Sequence, residues 1–320
     1  MKIKLINPIN NYLLQLENDK LVDEKGNIFF KSKGVYRFVD DKNYTQSFGF
    51  QWNNFPKTQI DKETHSSSQS KHRFFKVTEW SNLSNENILE VGCGAGRFSQ
   101  IILDYTNATL YSIDYSNSID VNYLNNGHHD RLYLFQASIY EMPFANDSFD
   151  KVFCFGVLQH TPNFKKSVTC LIDKVKPGGE LIVDFYPIKG WYTKIHAKYI
   201  FRPITKRLKH QTLLKWIKSN INWMIVLYNF FYKIKLGRIL TRFIPICDIK
   251  NTLPENLTKQ ELREWAILDT FDMFSPQYDQ PQKISTVKKW FEELGMNVTF
   301  SDYIEYSSQH KVAVVKGIKK

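Results

Sequence analysis

Cysteine is scarce and never closely spaced in this chain: four residues of 320, Cys93, Cys154, Cys170 and Cys247, with no C-x-x-C pair among them. That excludes a zinc ribbon or a dense disulfide framework, and predicts reduced thiols in a cytoplasmic protein with no bound metal. Long apolar runs are missing as well. The longest stretch, residues 223–231, is interrupted by Asn229 and falls far short of the ~20 residues needed to cross a bilayer. The first residues start basic but lead into no continuous apolar run and no small-residue cleavage site, so no export signal is expected. Glycine and proline, at 14 and 11 residues, are too few for a collagenous or low-complexity chain, and a hydrophobic fraction of 42% with 23% charged residues is that of a folded protein.

Acidic residues are nearly absent from one segment. Residues 187–250 hold 14 Lys or Arg against Asp248 alone, a net +13, whereas the rest of the chain sums to −2. Such a block invites an anionic partner. No RNA-binding module accompanies it, so nucleic acid is the disfavoured partner. Within the segment, Gln211, Lys215, Lys218, Asn222, Asn229 and Lys233 share one narrow stripe at helical spacing, and Trp216, Ile217, Ile221, Met224 and Ile225 fill much of the remaining circumference. A helix of that kind either packs against its own domain or docks on a partner or a membrane surface.

The remaining pattern is α/β. Residues 21–30 carry a turn signal at Lys25, Gly26 and Asn27 and read as a hairpin, residues 34–39 alternate as a further strand, and residues 65–70 are polar enough for a loop. Short apolar runs then recur at 88–91, 109–113, 132–135, 151–155 and 180–185, separated by helical lengths, which predicts parallel strands covered on both faces. Residues 177–179 read as a turn into the fifth strand. An amphipathic helix at 284–294, stopped by Gly295, precedes two strands at 297–304 and 311–315, suited to an antiparallel edge. The expected organisation is an N-terminal module (1–74), a core (75–186), a basic helical insertion or lid (187–275) and the rest of the core (276–320).

The chemistry is carried by Glu90-Val91-Gly92-Cys93-Gly94-Ala95-Gly96, which follows a strand and opens a helix, where glycines let the backbone turn tightly and approach a ligand. Arg97 stands where a dinucleotide fingerprint requires its third glycine, which argues against a nicotinamide cofactor. Asp114 closes the next strand, 24 residues after Glu90, where an acid can take both hydroxyls of a ribose. With these two acids flanking the glycines, the sequence resembles the class I S-adenosylmethionine-dependent methyltransferases. The resemblance implies a Rossmann-like fold with a seven-stranded, mostly parallel sheet and an antiparallel edge, and S-adenosyl-L-methionine as cofactor. It further implies Glu90, Gly92, Cys93, Gly94 and Gly96 as the cofactor loop, Asp114 as the ribose acid and Tyr115 beside the adenine. Ser138 and Ile139 fall where the family meets the adenine, although the family often has Asp at the position of Ser138.

His160, in the segment after the fourth strand, is the best-placed titratable side chain; it can act as general base toward an acceptor hydroxyl or order its loop by a hydrogen bond. Residues 43–52 with Arg73, and residues 265–278, resemble a narrower group of bacterial small-molecule and glycan methyltransferases. By that resemblance Arg73 pairs with the methionine carboxylate, and Trp52, Asp269, Asp272 and Tyr278 face the acceptor, though such aromatic clusters also serve ordinary packing. The N-terminal module of that group can bear paired cysteines; here it has none, so a module without zinc is expected. The implied activity is O-methylation of a sugar or another small metabolite within surface-glycan synthesis; the charge and the apolar helix of the basic insertion add the expectation of an anionic acceptor and of peripheral contact with the inner membrane face. RNA methylation and a methyltransferase-like binding protein without transfer are the alternatives.

Overall fold

A computed structural model describes residues 3–40, 42–61, 69–234, 237–307 and 310–320. β1 (Leu14–Glu17), β2 (Lys20–Asp23), β3 (Ile28–Ser32) and β4 (Val35–Arg37) form an antiparallel meander. Its turn falls at residues 25–27, and Asp23 fixes it: the carboxylate accepts from Lys25 N at 2.9 Å, Asn27 N at 3.0 Å, Asn27 Nδ2 at 2.8 Å and Asn7 Nδ2 at 2.7 Å. Burial alone would raise this acid, but the amides of Asn7, Asn10 and Asn27 outweigh it and hold the carboxyl well below the usual carboxylate range. Helices α1 (Gln46–Asn54) and α2 (Gln69–Thr78) follow. Of the loop expected at 65–70, residues 65–68 lie outside the described residues, and Gln69 and Ser70 begin α2.

β5 (Asn87–Val91), β6 (Thr109–Asp114), β7 (Leu132–Gln136), β8 (Phe149–Phe155) and β9 (Val175–Phe185) pair in parallel, with α3 (Arg97–Tyr105), α4 (Ile119–Asn126) and α5 (Phe164–Lys174) between them. Four consecutive residues are buried in each of β5 and β6, because helices cover both faces of the sheet; this is why they read as apolar runs and not as alternation. After the insertion, helix α11 (Ile284–Glu293) buries Val287 and Phe291, and β10 (Met296–Glu305) and β11 (Lys311–Lys319) close the antiparallel edge, β11 pairing with β9.

Among the described residues the sheet order is β1-β2-β3-β4-β7-β6-β5-β8-β9-β11-β10, eleven strands where seven were expected. The seven are present. The other four extend the β7 edge, β4 pairing in parallel with it from Val35 opposite Leu134 to Arg37 opposite Gln136. Unpaired N–H and C=O groups along that edge are satisfied in this way, and Leu14, Leu21 and Tyr36 join the core beneath it. The turn expected at 177–179 lies inside β9, which already begins at Val175 opposite Phe149, and the irregularity shows as a register shift between Phe149 and Lys151.

The insertion contributes α6 (Ala197–Thr205), α7 (His210–Lys233), α8 (Gly237–Leu240) and α9 (Ile249–Thr252), and α10 (Lys259–Phe274) packs with them. Leu213, Ile217, Ile221 and Met224 of α7 meet Ala266, Phe271 and other residues of α10 in an apolar cluster separate from those of the sheet. Among the described residues, no helix is long and apolar enough to cross a membrane.

Candidate functional site

The chain runs outward from β5 through β6 to β7 and then returns to place β8 on the other side of β5. Loops leaving the carboxyl ends of β5 and β8 therefore diverge, and ligands of open α/β sheets bind in the crevice so formed. Here the glycine loop follows β5, and residues 156–160 follow β8. A cavity of about 550 Å³ lies at this point, walled by the two loops, by α1 and α2, by α10 and by parts of the insertion.

Backbone geometry explains the glycines. Gly94 (φ 53°) and Gly96 (φ 86°) are left-handed, a conformation that side chains with a Cβ resist. A Cβ on Gly94 would sit 3.1 Å from Trp52 Nε1, whose indole reaches over the loop from α1, and one on Gly92 would sit 2.3 Å from Val157 Cγ2. Asp114 braces the loop: Oδ2 accepts from Gly94 N at 2.9 Å, and Oδ1 from Ser116 N at 2.8 Å and Ser116 Oγ at 2.7 Å. Burial raises its carboxyl above the ordinary range in spite of these bonds. Gly92, Cys93, Gly94, Asp114, Tyr115 and Ile139 all line the cavity, and burial pushes the Cys93 thiol well up, so it stays protonated.

Three residues expected in the cofactor site do not line it. Glu90 is buried beneath the loop, where Oε2 accepts from the hydroxyls of Ser99 and, at 2.7 Å, Ser112; burial pushes its carboxyl up to about 7. Gly96 is the N-cap of α3, and its lack of a side chain makes room for Asn122 and Asn126, whose amide atoms would lie 2.2 and 2.3 Å from a Cβ. Ser138 turns its hydroxyl onto its own loop, accepting from Tyr140 N at 3.2 Å. A short hydroxyl satisfied by local backbone has no reach into the cavity.

The opposite wall is polar. His160 is buried, and its Nδ1 lies 3.0 Å from the Tyr278 carbonyl oxygen. A carbonyl only accepts, so Nδ1 carries the proton and Nε2 is the basic nitrogen. Burial holds the imidazole below its ordinary range, with Asp272 opposing. Asp269 and Asp272 line the cavity from α10; burial and Asp272 push Asp269 up to about 7, with Arg97 opposing, and Tyr186 Oη donates to Asp272 Oδ2 at 3.3 Å. Tyr278 is the fourth departure: it is absent from the cavity wall, holding His160 through its carbonyl and packing edge-on against Tyr44 with ring centroids 5.4 Å apart.

Two guanidinium groups share the wall beside α2 and the glycine loop. Arg73 donates from Nη2 to Asp184 Oδ2 at 2.6 Å, and its buried Nε has no partner among the described residues. Arg97, which sequence reasoning used only to exclude a dinucleotide, lines the cavity as well. It donates to neutral groups, Nε to Ser70 Oγ at 2.6 Å and Nη1 to Gln59 Oε1 at 3.3 Å, and burial together with Arg73 lowers it to about 10. Its place directly after the last glycine was the available signal. Lys198 was missed for a different reason: in a basic segment nothing marks a lysine that turns inward, here onto Asp279 at 2.8 Å.

A strand-end glycine loop, an acid on the neighbouring strand and a basic imidazole face one cavity at the carboxyl ends of parallel strands, where open α/β sheets take their ligands. Residues 89–183 match the family model described as a methyltransferase domain. This part of the chain is an S-adenosylmethionine-dependent methyltransferase domain, and its cofactor is S-adenosyl-L-methionine. A tRNA U34 carboxymethyltransferase from Nautilia profundicola is 26% identical over 146 residues, 45% of this chain and 47% of that one. A sterol 24-C-methyltransferase from Pneumocystis carinii is 27% identical over 175 residues, 50% of this chain and 45% of that one. The chain thus spans about half the length of the curated relatives it matches. The solved structure of a putative S-adenosyl-L-methionine-dependent methyltransferase from Methanococcus maripaludis aligns with a TM-score of 0.46 at 10% identity, covering 88% of this chain and 96% of that one.

Proposed function

We propose that the chain is a class I S-adenosylmethionine-dependent O-methyltransferase acting on a sugar or another small hydroxylated metabolite, in surface-glycan synthesis. The observation that carries the reading is the imidazole of His160, locked by the Tyr278 carbonyl with Nε2 as the proton-accepting nitrogen, in the same cavity as the glycine loop. The residues present fit the cofactor: Gly92 and Gly94 bring bare backbone to the cavity wall, Asp114 offers acceptor oxygens for ribose hydroxyls, and Arg97 and the free Nε of Arg73 offer donors to a carboxylate. When bound, the cofactor supplies an electrophilic methyl group on a sulfonium centre. His160 Nε2 receives the proton of the acceptor hydroxyl as its oxygen becomes the nucleophile. Asp272, held by Tyr186, and Asp269, pushed up to about 7 by burial and Asp272, bind further hydroxyls and orient the acceptor for in-line attack. Trp52 and Phe48 line the cavity from α1 and give the acceptor apolar surface to pack on.

Binding calorimetry with S-adenosylmethionine, followed by methyl-transfer screens over nucleotide sugars, glycans and RNA, tests this reading. Transfer to a sugar hydroxyl is the expected result. His160→Ala should lower turnover ~100-fold or more while leaving cofactor affinity nearly unchanged; full turnover at saturating acceptor would make His160 structural. A second reading, RNA methylation, draws on the basic insertion and on the tRNA-modifying relative. Methylated RNA in the screen would establish it in place of the first, and cofactor binding with no transfer to any class would leave a binding protein.

A further inference from the structure

The insertion and α10 together form a helical cap beside the sheet, and the cap turns apolar side chains to the outside. In α6 the charged groups face inward: Arg202, 7% exposed, donates to the Met273 and Pro276 carbonyls at 3.2 and 2.8 Å, and Lys198 pairs with Asp279. Ile200 and Ile204 occupy the other side of the same helix and are 54 and 66% exposed, with Phe201 at its margin, packed edge-on against Phe274. This is an amphipathic helix with its polarity reversed relative to the domain. α7 is apolar on two faces. One packs on α10, and the opposite one exposes Trp216, Trp223, Val226 and Phe230. Beside α6, Trp191, Ile195 and Phe243 are exposed as well, and Arg242 ties their segments together by donating to the Tyr192 and Ile195 carbonyls at 2.7 and 3.1 Å. So much apolar surface in contact with water marks a binding face.

Charge identifies the occupant. The same segment holds the net +13, with Arg207, Lys209, Lys215 and Lys218 exposed among the apolar groups. Its one acid is engaged, Asp248 accepting from Tyr228 Oη at 2.5 Å and Asn251 Nδ2 at 2.8 Å. A second copy of the chain would set +13 against +13. A nucleic acid would match the charge but offers no apolar phase for Ile200, Ile204 and Val226. A bilayer with anionic headgroups supplies both.

We propose that the outward faces of α6 and α7, with residues 191–195 and 239–243, dock on an anionic lipid bilayer. Pro187, Lys189, His196 and Lys198 of the same segment line the cavity, so docking brings its wall to the membrane and suits an acceptor held there. The inference rests on surface placement and not on the proposed acceptor, so a result on vesicles leaves the methyl-transfer reading standing or falling on its own test.

The full chain is sedimented with vesicles of phosphatidylcholine alone and of phosphatidylcholine with phosphatidylglycerol, at low and high salt. Binding to the anionic vesicles only, weakened by salt, is the expected result. Arg207→Gln with Lys209→Gln should weaken partition roughly tenfold or more at low salt. Ile200→Ser with Ile204→Ser, both surface positions, should weaken it at least about tenfold with cofactor affinity by calorimetry unchanged. Absence of binding to either vesicle, indifference to both pairs of substitutions, or vesicle-independent self-association that the same substitutions abolish would overturn the proposal, the last in favour of a second copy.

Discussion

Arg73 and Arg97 share one wall of the cavity but differ in what balances their charge. Arg73 is matched by Asp184, whereas Arg97 donates to a serine and a glutamine and is lowered to about 10 by burial and by Arg73. A ligand carboxylate arriving there relieves Arg97 more than Arg73. Arg97→Ala should therefore cost ~1.5–3 kcal/mol of S-adenosylmethionine affinity, the worth of a hydrogen bond to a charged group. Arg73→Ala should mainly cost folding stability, because it strands the buried Asp184. Calorimetry and denaturant titration of both variants separate the two outcomes, and unchanged affinity in Arg97→Ala refutes the assignment. The sequence exposed Arg97 by adjacency to a motif, but the Arg73–Asp184 pair spans 111 positions and leaves no local trace. Glu90 shows the same limit from the other side. Its motif position was legible; its burial beneath the loop was not. Its ordinary value of 4.5 is pushed up to about 7 in the folded chain by burial, against the Ser99 and Ser112 hydroxyls. The folded state therefore holds the extra proton, and stability falls as pH rises from about 4.5 to about 7. Glu90→Gln cannot ionise and escapes that loss, on the order of 3 kcal/mol, so its melting temperature relative to the native chain should be higher at about pH 8 than at about pH 5. An equal difference at both pH values refutes the argument.

Elements were legible where burial is symmetric or strictly one-sided. The five parallel strands are buried on both faces and announce themselves as apolar runs, and α11 presents one apolar stripe to the sheet and was bounded within a residue by its pattern and Gly295. β1 escaped notice because four residues, Leu14 to Glu17, carry too little pattern, and only Leu14 among them is buried. The join of β4 to β7 could not be read at all, since parallel pairing between residues 35–37 and 134–136 is set by tertiary contact. α7 was legible as an unusually apolar helix, yet the same periodicity fits a packed face and an exposed one. The structure has both, Ile217 and Ile221 turned inward and Trp223 and Phe230 outward, and only the position of α10 decides which is which. α6 misleads a pattern reader in a more instructive way, because its apolar stripe is the side that faces water.

Across the whole molecule, the cavity lies between two separately cored bodies of structure. Sheet residues pack in clusters of their own, and the cap is held by the cluster of α7 and α10 with Phe55, against which Phe50 and Trp52 of α1 rest. A cap with its own core can open from the sheet without unfolding it. The cavity is lined from both sides, by Gly94, Asp114 and His160 from the sheet and by Trp52, Asp269 and Asp272 from α1 and α10. A ligand filling it bridges the two and opposes their separation. S-adenosylhomocysteine at about 100 times its Kd should stabilise the chain by ~2.7 kcal/mol, and hydrogen exchange should locate the gain. Amides of the glycine loop, α1 and α10 should exchange more slowly with ligand. Those of β1 to β3, at the far edge of the sheet and away from the cavity wall, should not change. Protection confined to the loop after β5 would mean that the cap is indifferent to the cofactor, and protection spread equally into β1 to β3 would mean that sheet and cap open as one unit; either result refutes the bridging argument.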